Sequence, residues 1–143
     1  MKLFKNYVLG FYFSTDYKQI VLIKRLKNDW QFGCFNGLGG SINEGESSYD
    51  AMVREFKEEA NVDTIWNYFA KMKGGNWEVD CYVGVGDLSN IKTGVIEEGE
   101  VMIINVEDIY NDSIPVLPNL KWLVPLALDG SVAHSIFTYL NLL

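Results

Sequence analysis

The chain has 143 residues, a length that fits one domain spanning 1–143 and buries a core without disulfides or a structural metal. Its 48% hydrophobic and 14% aromatic content excludes a disordered chain. Nineteen acids against twelve Lys and Arg leave a net charge of -7, which argues against a broad nucleic-acid-binding face but allows a small nucleotide whose charge a divalent metal offsets. Cys34, Cys81 and the single His134 are too scattered for a zinc cluster, and such sparse cysteine suits a reducing, cytoplasmic setting.

The opening MKLFKNYVLGFYFSTDYK has the look of a secretory leader. Its apolar run is short, is broken by Gly10 and lacks a small-residue cleavage site, so Tyr7 to Phe13 reads as a strand. Residues 14–18 form a turn, and Gln19 to Arg25 a second strand of the same hairpin. Residues 33–46, rich in Gly and Asn, read as a loop. A helix follows over 47–60. Ser47 and Asp50 suggest a capping box, while Tyr49, Met52, Val53, Phe56 and Ala60 make an apolar stripe. Asn61 can end that helix in the left-handed conformation.

Thr64 to Lys73 reads as a strand, and 74–76 (GGN) as a turn. From Trp77 to Val85 the odd positions are apolar and Glu78 and Asp80 are not, which marks a strand with one buried face. Glu100 to Val106 is another strand. Asn119 to Leu128 is a helix between Pro118 and Gly130, and residues 131–142 are expected to form a second short helix. No stretch is long or apolar enough to span a membrane, so a membrane partner is not expected.

The helix over 47–60 has a second face. Glu55, Glu58 and Glu59 stand at i, i+3 and i+4, a spacing at which like charges cost a helix roughly 0.2–0.5 kcal/mol per pair. Glu46 lies just ahead of it. The plain reading is a solvated acidic face with Arg54 and Lys57 as local partners. The functional reading is a hard-cation site, because Mg²⁺ and Mn²⁺ require closely held oxygen ligands.

Reading on from Gly40, the run G-SINEG-E-SSYDAMV-R-E-F-K-E-E-A-N-V resembles the signature of the Nudix hydrolases. Gly40, Glu46, Arg54, Glu55, Glu58, Glu59 and Val62 fall on its fixed positions. Phe56 stands at a usually aliphatic site and Asn61 at the final glycine. Both are physically conservative, since Phe still buries and Asn tolerates positive φ.

The resemblance implies an α/β fold, a Nudix-type α/β/α sandwich with a mixed, curved sheet. It implies Mg²⁺ or Mn²⁺ as cofactor, with Glu55, Glu58 and Glu59 as principal ligands. Gly39 would join through its carbonyl, Glu46 as an accessory acid, and Arg54 as the residue orienting the glutamates. The general base would be Glu55 or an acid of the later segment Glu97, Glu98 and Glu100. The chemistry would be attack of water on phosphorus.

Two further segments resemble the MutT-like nucleoside triphosphate diphosphatases, a branch that includes enzymes clearing oxidised purine nucleotides. They are FNGLGG at 35–40 and LPNLKWLVPL at 117–126. Asn36 matches a base-binding Asn, while Leu117, Asn119 and Leu120 stand where the branch has a Trp and two acids. Asn119 can still both donate to and accept from a purine. Trp30 and Phe32 are candidate stacking platforms, and Lys24 and Arg25 candidate phosphate contacts. Trp122, Leu123, Leu126 and His134 read as packing residues.

The partner implied is a small-molecule nucleotide, and the oligomeric state stays open. The leading activity is hydrolysis of a nucleoside triphosphate, normal or modified, to the monophosphate and pyrophosphate. The alternatives are cleavage of a linked nucleoside diphosphate, such as ADP-ribose or a dinucleoside polyphosphate, and a module that binds a nucleotide without cleaving it.

Overall fold

A computed structural model describes residues 3–129 and 135–138. Strand β1 (Lys5–Ser14) sends Leu9, Phe11 and Phe13 into one apolar cluster, and Val8 and Tyr12 into another on the opposite face. Strand β2 (Gln19–Arg25) divides in the same way, with Ile20 and Leu22 on one side and Val21 and Ile23 on the other. Strands covered on both faces read as continuous apolar runs, as these two do.

The chain continues through β3 (Phe35–Asn36), β4 (Leu38–Ser41), α1 (Ser48–Ala60), β5 (Asn67–Lys73) and β6 (Trp77–Gly86). It then forms β7 (Gly94–Val95), β8 (Gly99–Asn105), α2 (Glu107–Tyr110), α3 (Leu120–Ala127) and β9 (Ser135–Thr138). The described strands form one sheet in the order β7-β8-β2-β1-β6-β5-β9. It is mixed: β1 with β6 and β5 with β9 run parallel, the other ladders antiparallel. Helix α1 covers one face through Ala51, Met52, Phe56 and Ala60. The other face is covered by Ile109 of α2 and by Leu120, Leu123 and Val124 of α3. The result is the α/β/α sandwich that the sequence implies.

The feature that positions the site is a fork. Strands β1 and β2 pair directly at Tyr12↔Val21 and Phe13↔Ile20. Farther along, β4 takes the edge of β1 from Tyr7↔Ser41 to Gly10↔Leu38, and β3 takes the edge of β2 at Ile23↔Asn36 and Lys24↔Phe35. The segment expected as a loop over 33–46 therefore contains two short strands. Its glycines hid them from the alternation rule, and they are there because the backbones lie very close: a Cβ on Gly39 would collide with the Val8 carbonyl oxygen.

Helix α1 starts and stops as its caps dictate. Ser47 Oγ accepts the Asp50 N–H at 3.1 Å, satisfying one of the orphan donors of the first turn. Asn61 takes φ 62° and ψ 28°, and its N–H donates to Lys57 O at 3.0 Å.

Elsewhere the structure departs from expectation at element ends. Residues 64–66 lie outside the strand expected from Thr64, although Trp66 is buried. β7, α2 and a 3-10 turn at Leu88–Asn90 were too short to show a period. The helix expected over 131–142 is corrected at Ser135–Thr138, which is a strand paired in parallel with β5 from Ala70↔Ser135 to Lys73↔Thr138. The edge of β5 offers unpaired backbone groups, and Ile, Phe and Thr suit a pleated strand. The rest of that expected helix, with His134, lies outside the described residues.

Candidate active site

Two glycines let α1 approach the fork. A Cβ on Gly40 would stand 2.5 Å from Glu55 Oε1, so that space belongs to the carboxylate. Glu59 turns inward, is only 5% exposed, and accepts the Gly39 N–H on Oε1 at 3.0 Å. The last turn of α1 is thereby fastened to β4.

Arg54 gathers the remaining acids. Its Nε and Nη2 grip Glu46 at 2.8 and 3.0 Å, a two-pronged contact. Its Nη1 reaches Glu55 Oε1 at 3.0 Å and Glu58 Oε2 at 3.3 Å, and Nη2 also donates to Ser41 O at 3.0 Å. Among the described residues, no three His, Cys, Asp or Glu side chains stand as a ready-made metal cage. The acids are each drawn to other partners, Glu46, Glu55 and Glu58 to Arg54 and Glu59 to the Gly39 N–H.

The charge balance of this end is unfavourable as it stands. The Arg54 guanidinium and the Asn43 N–H hold Glu46 below the usual carboxylate range. Burial pushes Glu55 up despite Arg54, and Glu58 and Glu98 add to the rise. Burial pushes Glu59 up to about 8, with Glu55, Glu98 and Glu58 adding to it and the Gly39 N–H opposing. Hard oxygen donors, repelling one another and short of positive charge, have the chemistry that fits a divalent cation. Glu55, Glu58 and Glu59 are the side chains that could hold it, with Glu46 beside them.

Glu55 and Glu59 open into a cleft of about 890 Å³. Gly39, Gly40, Glu55, Glu59 and Glu98 line it, as do the apolar residues Leu9, Met72, Trp77, Val79 and Leu117. Asn36 and Asn119 also line it, with Arg25 and Trp30. The two asparagines are tied through backbone: Phe35 N–H donates to Pro115 O at 2.7 Å, and Leu117 N–H to Phe35 O at 3.1 Å. Asn36 Oδ1 accepts the Gly37 N–H at 2.9 Å. Asn119 Nδ2 points at Met72 Sδ, 3.7 Å away, and its Oδ1 is buried with no hydrogen-bond partner.

The other residues singled out from sequence lie elsewhere. Glu46, Arg54 and Glu58 do not line the cleft. Lys24 and Glu100 face each other across the β2–β8 ladder, and neither lines the cleft. Trp30 is 80% exposed at the cleft and Phe32 is 58% exposed outside it. Leu123 is fully buried, as its packing role requires, whereas Trp122 is 38% exposed. Met72, Trp77 and Val79 escaped the sequence reading as site residues. Alternation marks the buried face of β6 but cannot separate a core wall from a cleft wall.

A mixed sheet between α1 and α3, with an acid-bearing helix fastened to a glycine pair at a fork, is the NUDIX-type α/β/α architecture. The model of the NUDIX domain family matches residues 4–117, and the chain belongs to that family. Membership supports a hydrolase acting on pyrophosphate bonds. Among solved structures it is similar to the MutT protein of Bacillus halodurans, with 15% identity, TM-score 0.76, and 94% of this chain and 90% of that chain covered. It is also similar to the NUDIX domain of Shewanella oneidensis NrtR in complex with ADP ribose, with 17% identity, TM-score 0.75, and 90% and 88% covered. A MutT structure from a study of Aliivibrio salmonicida and Vibrio cholerae gives 21% identity, TM-score 0.70, and 87% and 97% covered. At these identities the likeness is one of fold. No curated protein matches by sequence.

Proposed function

We propose that this protein hydrolyses a nucleoside triphosphate, normal or modified in its base, to the monophosphate and pyrophosphate with the help of Mg²⁺ or Mn²⁺. One observation carries this reading. A single cleft joins a cluster of acids short of positive charge to a buried amide oxygen, on Asn119, that lacks a donor. The first suits a metal-bound polyphosphate and the second a base presenting an N–H.

Glu55, Glu58 and Glu59 would hold the cation, with Glu46 as an accessory acid and Gly39 contributing its carbonyl. When bound, a divalent cation neutralises diphosphate oxygens and lowers the pKa of the attacking water. Arg54 positions the acids by gripping Glu46, Glu55 and Glu58. Glu55 would take the proton from the water: it lines the cleft, and burial raises its proton affinity above that of an ordinary glutamate. Glu98 is the second candidate, because it lines the cleft and Glu100 does not. Asn36 and Asn119 hold the base edge, and Trp30 offers it a stacking surface.

The test is a nucleotide panel with Mg²⁺ that includes an oxidised purine triphosphate and ADP-ribose, with pyrophosphate and phosphate resolved. Pyrophosphate from a triphosphate is the expected product. Cleavage of ADP-ribose with triphosphates untouched would transfer the site to linked diphosphates. Binding without turnover of any nucleotide would make it a non-catalytic module.

A further inference from the structure

Arg25 ends β2 at the cleft, and its guanidinium is short of acceptors. Nη2 donates to Asp29 Oδ2 at 2.9 Å, while Nε is buried and meets no partner. A guanidinium carries five donors in a rigid fork, and this one is 29% exposed at the cleft with Nη2 on Asp29, so the group can take a further anion. Arg25 lies opposite Gly99 in the β2–β8 ladder, and the next residue, Leu26, donates its N–H to Glu98 O at 3.3 Å. Arg25 therefore adjoins the acid end of the cleft, where the phosphates are expected.

Asp29 lines the same cleft and does two things. Oδ2 holds Arg25. Oδ1 accepts the Gln31 N–H at 3.0 Å, and Asp29 O accepts the Phe32 N–H at 3.1 Å, which folds the turn presenting Trp30. The Arg25 hydrogen bond also keeps Asp29 below the usual carboxylate range, so it stays ionised at neutral pH.

Building on the proposed triphosphate reading, we propose that Asp29 is an internal competitor for the substrate's polyphosphate: it holds Arg25 in the free protein and yields it to phosphate on binding. The exchange is downhill. A partly exposed ion pair is weak, whereas an arginine can grip a phosphate with two parallel bonds. Because Oδ1 and Oδ2 serve different partners, the turn under Trp30 persists when Arg25 leaves. Asp29 thus tunes how tightly a polyphosphate is held, acting as a positioning residue through Arg25.

Calorimetric titration with diimidotriphosphate, in which NH replaces both bridging oxygens and resists hydrolysis, in the presence of Mg²⁺ tests this. Asp29→Asn keeps an oxygen for the Gln31 N–H but loses the ion pair, and should tighten binding by about two- to fivefold. Arg25→Ala should weaken binding, and in that background Asp29→Asn should bring no tightening. Equal tightening in both backgrounds would reduce Asp29 to a bulk charge, and no tightening in either would remove it altogether. Both results overturn the competitor. They are distinguishable from failure of the underlying reading, which the products of the nucleotide panel decide; an unaltered protein that does not bind the analogue overturns the competitor alone.

Discussion

Glu59 is bound to Gly39 across the fork, its buried carboxylate accepting that glycine's N–H at 3.0 Å. One hydrogen bond thus fastens the acid-bearing helix to the strand that lines the cleft. It also leaves a carboxylate almost without solvent among Glu55, Glu58 and Glu98. Burial and these neighbours favour the protonated form of this group, so ionising it costs free energy.

A pH dependence of stability follows. Glu59 titrates near 8 in the folded chain against the ordinary glutamate value of 4.5. Between these values the folded state holds the extra proton, so the metal-free protein should lose stability as pH rises from about 5 to 8. The loss should be at most a few kcal/mol. Thermal melts in EDTA should show Tm falling over this window, with Glu59→Gln flattening the slope and added Mg²⁺ opposing it. A metal-free Tm that is level or rising from pH 5 to 8 contradicts the burial of this charge.

Metal removal should abolish activity. EDTA is expected to stop turnover, and Mg²⁺ or Mn²⁺ to restore it. Glu58 is the informative variant, since its side chain is 58% exposed and pairs with Arg54 at 3.3 Å. Glu58→Gln should leave the fold intact while raising the Mg²⁺ concentration needed for half-maximal rate. Full turnover in metal-free buffer would falsify the mechanism.

The base can be located by comparing two acids. Glu55→Gln should lower kcat by roughly 10²–10⁴ if this carboxylate takes the proton. Glu98→Gln should then cost much less. The reverse order of losses would move the base to the segment before β8, and an equal large loss for Glu100→Gln would contradict its position outside the cleft.

Much of this was legible in the sequence, for definite reasons. Helix α1 declared itself because Ser47 caps it, Asn61 stops it, and Met52, Phe56 and Ala60 recur at helical spacing. The acids were legible because their spacing was fixed within one helix. The strands β3 and β4 were not, since Gly37, Gly39 and Gly40 carry no side chains to alternate and their pairing partners are distant in sequence. β9 was missed because Ser135–Thr138 pairs with β5, more than sixty residues earlier, and no local rule sees that ladder. Lys24 and Glu100 show the same limit at the site. Facing each other across β2 and β8, they sit outside the cleft, although a strand end and an acidic segment looked equally suited to phosphate chemistry.

The orientation of Asn119 leads to a prediction about the base. Its Nδ2 faces the Met72 sulfur, and its Oδ1 is the buried acceptor left without a donor. A base that presents an N–H to that oxygen repairs the defect; one that presents a carbonyl worsens it. Losing such a bond costs about 1–3 kcal/mol, so Asn119→Ala should lower kcat/KM for the preferred nucleotide by roughly ten- to a hundredfold. The loss should be far smaller for a nucleotide that never made the bond. Asn119→Asp keeps an acceptor and should preserve the order of preference, because the amide nitrogen it gives up meets only a thioether. The measurement is the ratio of kcat/KM values across four nucleoside triphosphates, for the unaltered protein, Asn36→Ala, Asn119→Ala and Asn119→Asp. If neither alanine variant changes the ratio, neither asparagine reads the base, and cleavage of a linked diphosphate becomes the better account of the cleft. If Asn119→Asp behaves as Asn119→Ala, the nitrogen and not the oxygen is the recognising atom, and the base must offer an acceptor there.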